Sequence, residues 1–273
     1  MDTTHREFKV LLSGDLFTER AALHQMQDIL LTVAKSQTGT YMDRVPTITS
    51  YVRGVQFYDT PDELLRASRR ILRLRRPQFD GWLEESSEFT YKVRSDERAA
   101  AENRQLITSI HGKQRAQFKE EIVPSDEPGK PATLWSHNLV VEARPDALPS
   151  KGKAILIALP DLRDVGITDD HVLGPVGGME VIEVGSLLGH IFFGHDVAAH
   201  ADVAIWRAEL TGDSFVAEVG FTYHTLPEQK ASAHKRADDY FLMLEEALGG
   251  WRSSYRTKTQ AVYEQATRVA TPA

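Results

Sequence analysis

Apolar residues recur with period two in several stretches of the chain and with helical period in two others. EFKVLL at 7–12 alternates and predicts a strand, on which His5, Glu7 and Lys9 project to one face. Residues 13–37 switch to helical spacing, with Leu16, Leu23, Met26, Leu30 and Val33 on one side and Asp15 as the expected cap. TSYVRGVQFYDT at 49–60 alternates again and stops at Asp59-Thr60-Pro61-Asp62, a turn or helix start leading into ELLRASRR. ILRLR at 71–75, EFTYKVR at 88–94 and QRAQFKEEIV at 114–123 predict further strands, with PQFDGWLEESS as a polar loop.

The run PSDEPGKPATL at 124–134 is the clearest internal boundary. Beyond it KAILIAL, MEVIEVG, DVAIWRAEL and SFVAEVGFTY read as strands, the last two joined by a Thr211-Gly212-Asp213 hairpin turn. LGPVGGMEVIEVGSLLG at 173–189 has glycines without the GxGxxG order or the lysine of a phosphate loop and reads as a bulged or tightly turned segment. Residues 227–251 predict an amphipathic helix, with Ala237, Tyr240, Phe241, Leu244 and Leu248 inward and Gly249-Gly250 as its stop. Strands that come in runs, without crossover helices between them, predict an antiparallel α+β fold. Strands charged on one face and apolar on the other predict closure into a β-barrel with a polar lumen and flanking helices. No repeat or low-complexity tract interrupts residues 1–273, which read as a single domain with a divergent, insertion-rich middle at about 125–200.

Composition narrows the chemistry. Of 273 residues, 41% are hydrophobic and none is cysteine, so a sizeable core is affordable while disulfides, thiol catalysis and Cys-ligated zinc are excluded. A net charge of −7 argues against nucleic-acid binding through the overall field, so any anion site must be focused. Neither a secretory leader nor a membrane span is expected, and a cytoplasmic setting is the default.

The charged strands resemble, in order, those of the CYTH or triphosphate tunnel metalloenzyme superfamily. HREFK at 5–9 corresponds to an ExExK strand, FYDTPD at 57–62 to a YFDT-like turn, and LRLR at 72–75 to an RxR strand. FTYKVR at 89–94 is similar to a TLK-like strand and FVAEVGF at 215–221 to a late acidic strand. The resemblance implies a triphosphate tunnel that binds a small-molecule triphosphate, inorganic tripolyphosphate or a nucleoside triphosphate, and hydrolyses it with Mg²⁺ or Mn²⁺. It implies Lys9, Arg73, Arg75 and Lys92 as phosphate ligands, with Lys119 and Lys258 as further candidates, and Glu7, Lys9 and Arg75 as the catalytic set. Glu7 and Glu218, with His5, are the implied metal ligands. A polyanion needs arginine forks and lysine ammoniums from several strands, and carboxylates opposite them suit a hard divalent cation.

Two departures bear on activity. His5 stands where the family has a glutamate, and the late acidic strand keeps only Glu218, which together weaken the expected metal affinity. A binding module with little turnover, or a class IV-type adenylyl cyclase in which a ribose hydroxyl replaces water, are the alternatives. In KEEI, Glu120 and Glu121 compete for the inward face. His190, His195 and His200, spaced by five, suit neither a helix nor a strand as a metal trio and predict a loop or hairpin. Arg66, Arg69 and Arg70, and the HKRADD cluster, read as solvated surface. A homodimer is compatible with this size, though no residue demands one.

Overall fold

The alternating stretches form strands whose pairings run in a circuit and return to the first. The computed structural model describes residues 4–104, 106–127, 129–208 and 212–270. In chain order the elements are β1 (His5–Ser13), α1 (Ala21–Ser36), β2 (Tyr41–Arg44), β3 (Ser50–Asp59), α2 (Leu64–Ala67), β4 (Arg70–Phe79), β5 (Trp82–Leu83) and β6 (Ser87–Ser95). There follow α3 (Arg98–Glu102), β7 (Lys113–Val123), β8 (Ala132–Ala143), α4 (Gly152–Ala158), β9 (Gly174–Pro175), β10 (Val181–Gly194), β11 (Val197–Ala208), β12 (Ser214–His224), α5 (Ala231–Ala247) and α6 (Lys258–Ala270). From β1 the pairings pass to β12, β11, β10, β3, β4, β6, β8 and β7, and β7 pairs with β1 again. Among the described residues only the β1–β7 pairing is parallel. The fold is therefore α+β, a nine-strand ring-like sheet with helices outside it.

Period two decides which residues face in. On β1, Phe8, Val10 and Leu12 point outward into a core shared with α1 and α5, so His5, Glu7, Lys9 and Leu11 face inward. Phe8 stacks on Phe221 at 4.4 Å, and Phe193, Tyr240 and Phe241 complete this aromatic layer. A second core lies outside β4, β6 and β8, where Leu72, Leu74, Phe89, Tyr91 and Leu139 meet Ile155 and Leu156 of α4. Each large side chain buried this way contributes roughly 1.5–3 kcal/mol, so two outer cores can carry a charged interior. A third cluster sits at one end of the inner face, where Leu11, Val55, Phe57, Val181, Trp206 and Val216 pack with Ala261, Val262 and Ala266 of α6. The polar interior is thus stopped by apolar packing at the end where β1 finishes.

Several sequence expectations change here. KAILIAL forms helix α4, not a strand, because a short apolar run lacks the alternation that separates the two; Ile155, Leu156 and Leu159 all enter the second core. The first helix starts only at Ala21, after a 3₁₀ turn at Gly14–Phe17; Leu16 is 39% exposed, and Asp15 accepts from the Ser13 hydroxyl without capping α1. PQFDGWLEESS is a hairpin at its start, β4 pairing with β5 across Asp80-Gly81, both at positive φ. The run at 124–134 joins β7 to β8, which are neighbours in the sheet. His190 and His200 lie in a hairpin whose turn, Gly194-His195-Asp196, has positive φ throughout. Of the expected Thr211-Gly212-Asp213 turn, Thr211 lies outside the described residues, as do Glu209 and Leu210 at the end of the expected DVAIWRAEL strand.

Candidate functional site

Asp59 fixes how the arginine strand enters the ring. Its carboxylate accepts the backbone N–H groups of Thr60, Leu65 and Arg66 at 2.8–3.0 Å and the Tyr263 hydroxyl at 2.5 Å. This closes the YDT turn around α2 and returns the chain as β4, on which Arg73 lies opposite Phe57 and Arg75 opposite Val55, two inward-facing residues.

The six cations expected at the site, Lys9, Arg73, Arg75, Lys92, Lys119 and Lys258, all reach the inner face. They are organised around buried carboxylates. Glu121 is 1% exposed; its Oε1 accepts Lys92 Nζ and the Ser136 hydroxyl, while Oε2 lies 3.1 Å from Arg94 and 3.5 Å from Lys9. Glu120 points the other way, to Arg6 at 2.8 Å, so Glu121 is the inward member of the pair. Glu7 lies 2.8 Å from Lys9 and 3.7 Å from Lys119. Lys258 comes from the start of α6, 2.9 Å from Glu218 and over the Trp206 ring.

Arg75 pairs with Glu88 at 3.1 Å and approaches the fully buried Glu183, which also accepts from Arg53 Nε at 2.6 Å and Trp206 Nε1 at 2.7 Å. Arg73 differs. Among the described residues its one hydrogen bond is a long one to Thr90 Oγ1 at 3.4 Å and no carboxylate forms an ion pair with it; its Nε lacks a partner, as do those of Arg75 and Arg94. Burial, with Arg75 alongside, pushes its guanidinium down to about 9. Burial and Arg94 likewise push the Lys92 ammonium well down, whereas Lys9, Lys92 and Arg94 together overcome burial and hold Glu121 ionised. One carboxylate thus serves three cations there.

Glu183, Arg53 and Arg94 were not singled out in the sequence. MEVIEVG did read as a strand, and a glutamate on the face shared with Val181 was the available signal.

The expected metal ligands do not gather. Glu7 lies opposite Thr222 and Glu218 opposite Leu11, four residues apart in the register, or roughly 13 Å at strand rise. His5 accepts or donates at Thr4 Oγ1, 2.9 Å away, and its ring lies 4.0 Å from His224; burial, with His224 and Lys119 nearby, pushes it down to about 4. Among the described residues no group of three His, Asp or Glu side chains is arranged to hold a metal ion.

A different pair suits one better. Asp202 lies opposite Gly220, two residues from Glu218 and on the same face. Gly220 lacks the Cβ that would meet the Phe8 carbonyl oxygen at 2.3 Å, which lets β12 pair closely with β1 there. Protein surrounds the Asp202 carboxyl although solvent reaches it from the open interior; that setting, with Glu218 beside it, pushes it up to about 7. Two carboxylates side by side are the donor set that Mg²⁺ takes when phosphate oxygens and water complete its shell. Since a raised carboxyl disfavours the folded state as it ionises, Asp202→Asn is expected to raise the melting temperature relative to wild type at pH 8, with the gain shrinking between pH 7 and pH 4. A melting-temperature series across that range checks it; a gain independent of pH contradicts it.

No protein-family model matches the chain, and no curated protein matches it significantly. Among solved structures it is similar to HpAC1 from Hippeastrum, described as a proposed adenylyl cyclase with a dominant triphosphatase activity, at 14% identity and a TM-score of 0.45 over 96% of both chains. It is also similar to a proposed adenylate cyclase from Bacillus halodurans, at 13% identity and a TM-score of 0.40 over 94% of this chain and 96% of that one. The PH1819 protein from Pyrococcus horikoshii follows at 12% identity and 0.36, over 95% of this chain and 98% of that one. Likenesses this distant leave the chemistry to be read from this chain's own side chains.

Proposed function

We propose that the ring is a closed β-barrel of the CYTH type, which binds the triphosphate group of a small molecule inside and hydrolyses it. The observation that carries this is Arg73, a guanidinium flanked by Arg75 and short of an anion. Half-buried and with no carboxylate in ion-pair contact among the described residues, this guanidinium is placed to take a ligand's oxygens. The inner face supports the same reading. Lys9, Arg53, Arg73, Arg75, Lys92, Arg94, Lys119 and Lys258 outnumber Glu7, Glu88, Glu121, Glu183, Asp202 and Glu218 there.

In this account Arg73 and Arg75 give forked contacts to phosphate oxygens, and Lys9, Lys92, Lys119 and Lys258 act as point charges. Glu183 and Glu88 hold Arg75 in place; Glu121 and Glu7 do the same for the lysines. Glu7 therefore serves as a positioning group for Lys9 and Lys119 and not as a metal ligand. Asp202 and Glu218 would hold Mg²⁺ or Mn²⁺, whose chemistry is to polarise the phosphoryl group and neutralise developing charge. The apolar stop under Trp206 limits how far a phosphate chain enters.

The test is product analysis with tripolyphosphate and with ATP, each with Mg²⁺ or Mn²⁺. Orthophosphate release without cyclic nucleotide is expected. Cyclic nucleotide plus pyrophosphate would make it a cyclase; a ligand-induced rise in melting temperature with background turnover would make it a binding module. No product and no thermal shift with any polyphosphate would sink the reading.

A further inference from the structure

Six rings that phosphate binding leaves unused form a band across five neighbouring strands. Tyr41 of β2 stacks on Phe192 of β10, with centroids 4.5 Å apart and planes within 8°. Two residues along β10, His190 meets His200 of β11 at 4.9 Å. His224 of β12 meets His5 of β1 at 4.0 Å. His200 lies opposite Thr222, two residues from His224, so the second histidine pair continues the first at the diagonal spacing across which rings reach each other.

All six lie on the inner face, since Met42, Ile191, Ala199, Tyr223 and Phe8 alternate with them and are buried in the outer core. The band is open: Tyr41 is 56% exposed, and His200 and His224 are exposed as well. It is also continuous with the charged interior. His5 precedes Glu7 by two residues on the same face and lies opposite Lys119 on β7. Three separate stretches of chain supply these rings, none of which the packing of the outer core requires.

Resting on the triphosphate reading, we infer that this band seats a planar aromatic group joined to the phosphate chain, which makes the ligand a nucleoside triphosphate and not inorganic tripolyphosphate. Stacked side-chain rings beside a cationic groove recognise bases through their faces, whatever the base. A single ligand can fill both features because they share one face and meet at His5 and Lys119. A protein partner would need a far wider patch than six rings.

Calorimetric titration of the whole protein with ATP and, separately, with tripolyphosphate tests this in wild type, His200→Ala and Tyr41→Ala. Both variants are expected to lose affinity for ATP about tenfold, the scale of one lost stacking contact, and to bind tripolyphosphate within a factor of two of wild type. Equal losses for both ligands, or no loss for ATP, would overturn the inference while leaving the triphosphate site standing. If wild type binds neither, the triphosphate reading fails and this falls with it. Saturation transfer between histidine ring protons and adenine protons in wild type needs no variant; transfer is expected, and its absence with ATP bound would overturn the assignment.

Discussion

Replacing Arg73 with methionine is expected to raise the melting temperature of the ligand-free protein and to weaken tripolyphosphate binding sharply. The two effects share a cause. Arg73 is half-buried, with one long hydrogen bond and no ion-pair partner among the described residues, so an isosteric apolar side chain removes a charge that Glu183 and Glu88 offset only at a distance. Such replacements commonly gain about 0.5–2 kcal/mol, worth roughly 2–4 °C per kcal/mol in a protein of this size. Each charge-assisted contact to phosphate is worth about 1.5–3 kcal/mol, so the Arg73→Ala, Arg75→Ala double variant should lose on the order of 10²- to 10⁴-fold in affinity. Calorimetric scans and titrations of the same preparations check both. A destabilised Arg73→Met variant that still binds normally would show that Arg73 serves the fold.

Glu121→Ala is expected to act in the opposite direction on stability. The carboxylate is the shared counter-ion of Lys9, Lys92 and Arg94, and its removal leaves three cations facing one another in a buried pocket. Breaking a buried pair costs about 3–5 kcal/mol, so a fall in melting temperature of about 10 °C is expected. Tripolyphosphate should recover part of that loss by taking the place of the missing charge. Glu121, with Glu7 and Glu183, is held below the usual carboxylate range by its cations. Their contribution is fully present above the unfolded value of about 4.5 and is lost as pH falls toward the folded values. Urea midpoints measured from pH 6 down to pH 3 should therefore fall in wild type and fall less in Glu121→Gln. A cluster that contributes nothing would give parallel curves.

Much of the inner face could be read from alternation. Lys9, Arg73, Arg75 and Lys92 sit on strands where every second residue is apolar and enters an outer core, so period two fixed their direction. The limits have physical causes. Glu120 and Glu121 each have a cation to pair with, and only strand register shows that Arg6 takes one and the inward cluster the other. Glu183 pairs with arginines from β3 and β4, more than a hundred residues earlier, a convergence no local pattern encodes. His5, Glu7 and Glu218 do not form one cluster among the described residues, and sequence order does not reveal the four-residue offset between β1 and β12 that separates the two glutamates. Asp202 stands two residues from His200 in the sequence, whereas pairing across β12 places it beside Glu218. Strand β8 and helix α6 went unread: β8 carries polar residues toward the interior, and α6 is held by the apolar end of the ring.

The most direct measurement is a calorimetric titration of the purified protein with inorganic tripolyphosphate at two salt concentrations. One-to-one saturable binding that weakens as salt rises is predicted, because several enclosed cations would be exchanging one another's repulsion for a polyanion. A flat titration at both concentrations would mean that the charges on the inner face balance among themselves, and the account would be wrong.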